Sequence, residues 1–167
     1  MFQSTKQKRI SYAVFSIYLI LLVWLVLFKF TTNLLALPSM RSINLIPFHY
    51  TQETNMHLKE VLYNMIVFIP LGVYVQIFKD DWKILRKCTV IFLTGFLFEV
   101  IQFIFAIGAS DITDIIGNTL GGIAGIILCT TMKHIVPKKF TAIINCLGIL
   151  IETTAIGFIV LLWVSNS

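Results

Sequence analysis

Seven polar side chains could do chemistry in this 167-residue chain, because each interrupts an otherwise apolar run. Glu60 and Asn64 are one helical turn apart, and Glu99 and Gln102 share a helix face. Asp111, Asp114 and Asn118 recur at i, i+3 and i+7, which draws one polar stripe along a helix. Carboxyl and amide groups gathered this way can move protons, hold hard cations through oxygen, or bond to one another and fix a bundle. In lipid the first question is cost. A carboxylate at mid-span costs roughly 2.5–3.5 kcal/mol on insertion scales, so it faces the bundle interior and marks a place where function repays the penalty.

The elements that must position these groups are membrane spans. Hydrophobic residues make up 57% of the chain and charged residues 13%, against roughly 25% charged in soluble domains. Mean hydropathy is +0.89. The net charge of +5 is dispersed in short clusters, with no basic face and no aromatic-basic interleaving, so nucleic acid is not an expected partner. Five apolar stretches approach the ~20 residues that cross a hydrocarbon core of ~30 Å. They lie near Ser11–Phe30, Leu58–Phe78, Cys88–Ile107, Ile112–Met132 and Thr141–Trp163. The expected fold is an all-α, polytopic transmembrane bundle of about five spans, with a tail over residues 1–10 and one membrane domain over 11–163. The apolar run after Lys6, Lys8 and Arg9 outlasts the 7–15 residues of a signal-peptide core, and reads as an uncleaved anchor.

Charge orients the bundle. Ten of the 13 Lys and Arg residues fall in the N-terminal tail, the second connection (Lys79, Lys83, Arg86, Lys87) and the fourth (Lys133, Lys138, Lys139). Lys29, Arg41 and Lys59 face the other way. The positive-inside rule then predicts the N-terminus in the cytoplasm and the C-terminus outside. Cys88, Cys129 and Cys146 fall near cytoplasmic helix ends, where thiols stay reduced, and no spacing with His134 suggests a metal site.

At 1.5 Å per residue, this orientation puts all seven polar residues in the outer half of the bilayer or at its outer boundary. Gly117, Gly121 and Gly125 form a small-xxx-small ladder, joined by Gly122, that should press the fourth span against its neighbours. The ladder suits contacts within one chain or between chains, so it leaves oligomeric state open. Gly72 suits the same close packing, and Pro70 deprives the Ile66 carbonyl of its donor, which a neighbouring span must then supply. Carboxylates in one layer repel unless protonated, paired or cation-bound. Arg41 is the first candidate counter-charge, with Lys59, Lys29, His49 and His57 behind it. A divalent cation is compatible with the layer, but nothing in the spacing requires one, and no cofactor is expected. Glu152 stands apart on the fifth span with Asn145 and Gly148, placed either to back the cluster or to anchor its helix. The outer connection from Thr31 to His57 is expected to lie over the polar layer as a lid or to serve as a plain connector. Glu60-x3-Asn64 echoes Asp114-x3-Asn118, but with only two matched residues chance explains the echo better than a repeat does.

From Asn44 to Gly125 the chain resembles the VanZ-like membrane proteins. The resemblance rests on Asn44-Leu-Ile-Pro47-Phe48, on Asn64 with Phe68-Ile-Pro70-Leu-Gly72, on Glu99-x2-Gln102, and on Asp111-x2-Asp114-x3-Asn118-Thr-Leu-Gly121-Gly122. It implies a bacterial plasma-membrane protein and adds Asn44 to the polar set. The family takes its name from a member encoded with vancomycin-type resistance genes and linked to teicoplanin resistance. Many members carry an arginine shortly before the first Asp of the acidic motif, where this chain has Gly108-Ala109-Ser110.

Three functions compete. A non-enzymatic envelope protein would bind or shield a surface component, an envelope lipid or wall precursor, and so blunt lipoglycopeptide antibiotics. An enzyme on a lipid head group or wall precursor would use Glu60, Glu99, Asp111 and Asp114 as acid, base or metal ligands, yet no nucleophile–base pair, HExxH or phosphate loop accompanies them. A small transporter would route protons or cations through Glu99 and Glu152.

Overall fold

A computed structural model describes residues 5–28, 40–48 and 54–165, with the backbone alone at 28, 40, 41, 54–57, 109 and 162. Five helices form: α1 (Thr5–Phe28), α2 (Thr54–Phe78), α3 (Ile84–Phe105), α4 (Ile112–Ile135) and α5 (Phe140–Ser165). All five are long and apolar enough to cross a membrane. Their outer surface is apolar as well: Ile20, Leu93, Ile127 and Leu150 are all exposed. Water would not tolerate so continuous an apolar exterior, whereas lipid tails are its natural solvent.

The centre of the bundle is the seam between α2 and α4. A Cβ added to Gly121 would lie 2.1 Å from the Met65 carbonyl oxygen, and one on Gly125 would lie 2.0 Å from that of Ile69. At Gly117 the Val61 carbonyl is 3.4 Å away. Partners therefore advance by four on both helices in the same direction, so α2 and α4 run parallel, backbone against backbone. Gly72 faces the Gly122 carbonyl, and Gly122 receives the Ile91 side chain from α3. Gly72, Gly117, Gly121, Gly122 and Gly125 thus pack helices inside one chain. Around this seam Tyr18, Leu22, Phe68, Ile91, Phe98 and Ile126 form the main apolar core. The Tyr18 hydroxyl donates to the Val67 carbonyl at 2.9 Å, in the turn that Pro70 disrupts and one residue beyond the carbonyl singled out in the sequence.

Helix α5 is held differently. Ser11 Oγ donates to Asn145 Oδ1 at 3.0 Å, and Asn145 Nδ2 donates to Gln7 Oε1 at 3.1 Å. Gly148 admits Val14 and the Tyr74 hydroxyl, and Glu152 is buried one turn further along. The three cysteines are free thiols.

One element has no counterpart in the helical pattern. Residues Met40–Asn44 (β1) and Ile107–Asp111 (β2) form a two-stranded parallel ribbon, in register from Met40 opposite Ile107 to Asn44 opposite Asp111. The ribbon starts where α3 stops: Ala106 takes a left-handed conformation (φ 54°), and its N–H closes the helix on the Gln102 and Phe103 carbonyls. Helix α3 therefore ends at Phe105, two residues before the expected limit.

Candidate functional site

Asp111 is the hinge between ribbon and bundle. It is the last residue of β2 and the N-cap of α4, where its Oδ1 accepts from the Thr113 N–H at 2.7 Å. Its Oδ2 accepts from Asn44 Nδ2 at 3.0 Å, and its own N–H donates to Glu99 Oε2 at 2.9 Å. Asn44 Oδ1 accepts from the Ile46 N–H, turning the chain beyond β1. Phe48 then donates its N–H to Thr113 Oγ1 at 3.1 Å. Ser110 Oγ donates to the Glu99 carbonyl at 2.8 Å. Both Asn44 and Asp111 thus hold backbone, and the Glu99 carboxylate is fixed on one oxygen by a main-chain donor.

Beneath this lattice lies a cavity of about 230 Å³. It is lined by Glu60, Tyr63 and Asn64 of α2, Glu99 and Gln102 of α3, Asp114 of α4, and Leu25 and Val26 of α1. Five of the eight polar residues picked from the sequence therefore meet around one space. Asp111 lies outside the lining but is bonded to Glu99, which is part of it. Asn118 is fully buried beside Gly95, outside the lining, and neither its Oδ1 nor its Nδ2 finds a hydrogen-bond partner among the described residues. Gln102, only 2% exposed, donates Nε2 to the Val26 carbonyl at 2.9 Å, while its Oε1 has no such partner. Three carboxyls, a phenol and two amides line the cavity, and among the described residues no Lys or Arg joins them. An oxygen-rich lining of this kind complements a donor, such as an ammonium, a hydroxyl or an amide N–H. Among the described residues no three His, Cys, Asp or Glu side chains are grouped to hold a metal ion.

Of the counter-charges, Lys59 is exposed and outside the lining. Lys29 and His49 lie outside the described residues, as do the side chains of Arg41 and His57. The backbone of Arg41 pairs with Gly108. Of the Thr31–His57 connection, 40–48 is docked on the start of α4 through Phe48, and none of its described side chains lines the cavity. Glu152 does not line it either. Sequence reasoning missed Tyr63, Ser110 and Thr113. Only Thr113 left a signal, in the Asp111-x-Thr113 spacing of an N-cap whose side chain reaches two residues on.

A second polar cluster marks the other end of the bundle. Lys87, 4% exposed, donates Nζ to Gln76 Oε1 at 2.8 Å and to the Asp80 carbonyl at 3.1 Å. Gln76 Nε2 donates to Asp80 Oδ1, and Lys133 forms an ion pair with Asp80 Oδ2. The hydrogen bond from Lys133 holds the Asp80 carboxyl below its ordinary range, despite the opposing effect of burial.

Comparison with known proteins agrees with this architecture. The VanZ/LLP1 family model matches residues 15–133, which include both cavity and ribbon. Protein VanZ of Enterococcus faecium is 40% identical over 147 residues, covering 86% of this chain and 89% of that protein. No solved structure matches. A match of this extent, over a multi-span bundle, makes the chain a bacterial membrane protein of the VanZ/LLP1 family.

Proposed function

We propose that this protein binds a donor-bearing part of a cell-envelope lipid or wall precursor in the acidic cavity, and thereby lowers the action of teicoplanin-type antibiotics. The observation that carries the reading is the cavity itself: the carboxyls of Glu60, Glu99 and Asp114 and the unpartnered Gln102 Oε1 gather around one space. An ammonium, hydroxyl or amide N–H entering there would donate hydrogen bonds to these oxygens. The cavity belongs on the outer side, because ten of 13 basic residues gather at the opposite end. Lipoglycopeptides act on that outer side. The likeness to VanZ supports the resistance role.

The test is a deletion strain complemented with the wild type, Glu99→Gln or Asp114→Asn, scored for teicoplanin susceptibility and for envelope lipids and precursors. A binding role predicts that Asp114→Asn restores sensitivity while the precursor profile stays constant. Three carboxyls around one space also suit acid–base chemistry. Were that the role, the profile itself would change on deletion and fail to recover with either isostere. Sensitivity unchanged by deletion would refute the resistance proposal. Transport through paired acids has less support, since Glu152 does not line the cavity that Glu99 lines.

A further inference from the structure

The basic end of the bundle holds a larger space than the acidic one, about 540 Å³ between α1, the ends of α2 and α4, and the start of α5. Lys8 enters it from α1, Lys133 from the last turn of α4, and Lys138 and Lys139 from the turn that follows. Asp80 is the one carboxylate among the described lining residues, and Lys133 already neutralises it. The first turn of α5, at Phe140 to Ala142, also borders the space, so the positive end of a helix dipole adds to the lysines. Positive-inside topology accounts for lysines at this end, but it does not account for a cavity walled by aromatic rings. Tyr12 stacks on Phe78 with centroids 4.5 Å apart and planes 6° from parallel, and both rings line the space. Tyr12 is also 57% exposed on the apolar outside of α1, where lipid reaches it.

We propose that this cavity is a binding site for an anionic membrane phospholipid. The phosphate diester sits among Lys8, Lys138 and Lys139 near the start of α5, and the glycerol and first acyl carbons lie against Tyr12 and Phe78. A free phosphate would satisfy the lysines but has no use for the aromatic wall. A lipid uses both. Basic pockets between spans are a known physical solution for holding anionic head groups. The site is independent of the acidic cavity and of its proposed role.

The experiment is native mass spectrometry of the full chain in neutral detergent, titrated with phosphatidylglycerol, phosphatidylcholine or inorganic phosphate. Phosphatidylglycerol should bind more tightly than phosphatidylcholine, and inorganic phosphate should not displace it at equal concentration. Each lysine removed should weaken binding roughly fivefold, so the triple variant Lys8→Gln, Lys138→Gln, Lys139→Gln should lose roughly 100-fold. Neutralising Lys79, Lys83 and Arg86, which lie outside the lining, should leave binding near wild type. Asp80→Asn frees Lys133 and removes a negative charge, so binding should tighten severalfold, an outcome that no folding defect imitates. Equal binding of the two lipids, or equal loss in the two triple variants, overturns the proposal. Displacement by inorganic phosphate reassigns the site to a soluble anion and overturns it as well.

Discussion

Adding a single methyl group to the α2–α4 seam tests whether backbone really meets backbone there. In Gly121→Ala the new Cβ would lie 2.1 Å from the Met65 carbonyl oxygen, whereas ordinary contact begins at 3.4 Å. The two helices must therefore part by about 1.3 Å, because a main-chain carbonyl cannot rotate aside as a side chain can. Overpacking of this kind costs roughly 1–3 kcal/mol, and the rigid neighbour puts this site toward the upper end. Alanine returns about 1 kcal/mol of helix propensity, leaving a net loss of about 1–2 kcal/mol. Gly157→Ala is the internal control, since a Cβ there meets nothing within 4 Å and only the propensity gain remains. Unfolding both variants in mixed micelles, followed by tryptophan fluorescence, should place them on opposite sides of the wild type. Equal stability would mean that α2 and α4 do not touch through their glycines, and the convergence of Glu60, Asn64 and Asp114 would lose its frame.

Glu99→Gln keeps an acceptor for the Asp111 N–H and should cost under about 1 kcal/mol, whereas Glu99→Leu strands that donor and should cost about 1–3 kcal/mol in the same assay. Asn44→Ala removes the donor to Asp111 and the acceptor for Ile46, so amide exchange across 107–111 should accelerate while the helices keep their protection. For Asp80, the folded pKa is depressed below its ordinary 3.8, so its contribution is present above that value and lost as pH falls through the folded one. Thermal melts from about pH 7 to about pH 3 should therefore show wild type and Asp80→Asn converging at the acid end. A gap that widens with acid contradicts the Lys133 pairing.

What the sequence made legible was set by lipid. Polar residues in a span are few and costly, so Glu60, Asn64, Glu99, Gln102 and Asp114 could be picked out individually, and the structure gathers these five around one cavity. The glycine ladder was legible for the same reason, since small residues at every fourth position have one obvious use in a membrane. The ribbon was not. Met40–Asn44 is five residues without alternation, and its partner lies more than sixty positions away, beyond two helices. Asn44 and Asp111 looked like members of an open polar set, but they are spent on main-chain geometry, a distinction visible only once register is known. Lys87 misled in the opposite sense. It counted as one more topology-setting charge, yet it is buried and bonded to Gln76 and Asp80.

The parallel course of α2 and α4 has a consequence for how the protein is made. A ribosome that has just released α2 has not yet built the surface that α2 needs. The residue that meets Met65 is Gly121, about 56 positions later, or roughly 3–11 s at ordinary elongation rates. Throughout that interval the face of α2 along Val61, Met65 and Ile69, with Glu60 and Asn64 on the same helix, stands in the membrane without its mate. Insertion of α3 alone cannot close it. The nascent chain thus carries an obligatory waiting state, and any factor that shelters half-built membrane proteins has a defined span of sequence in which to act on this one.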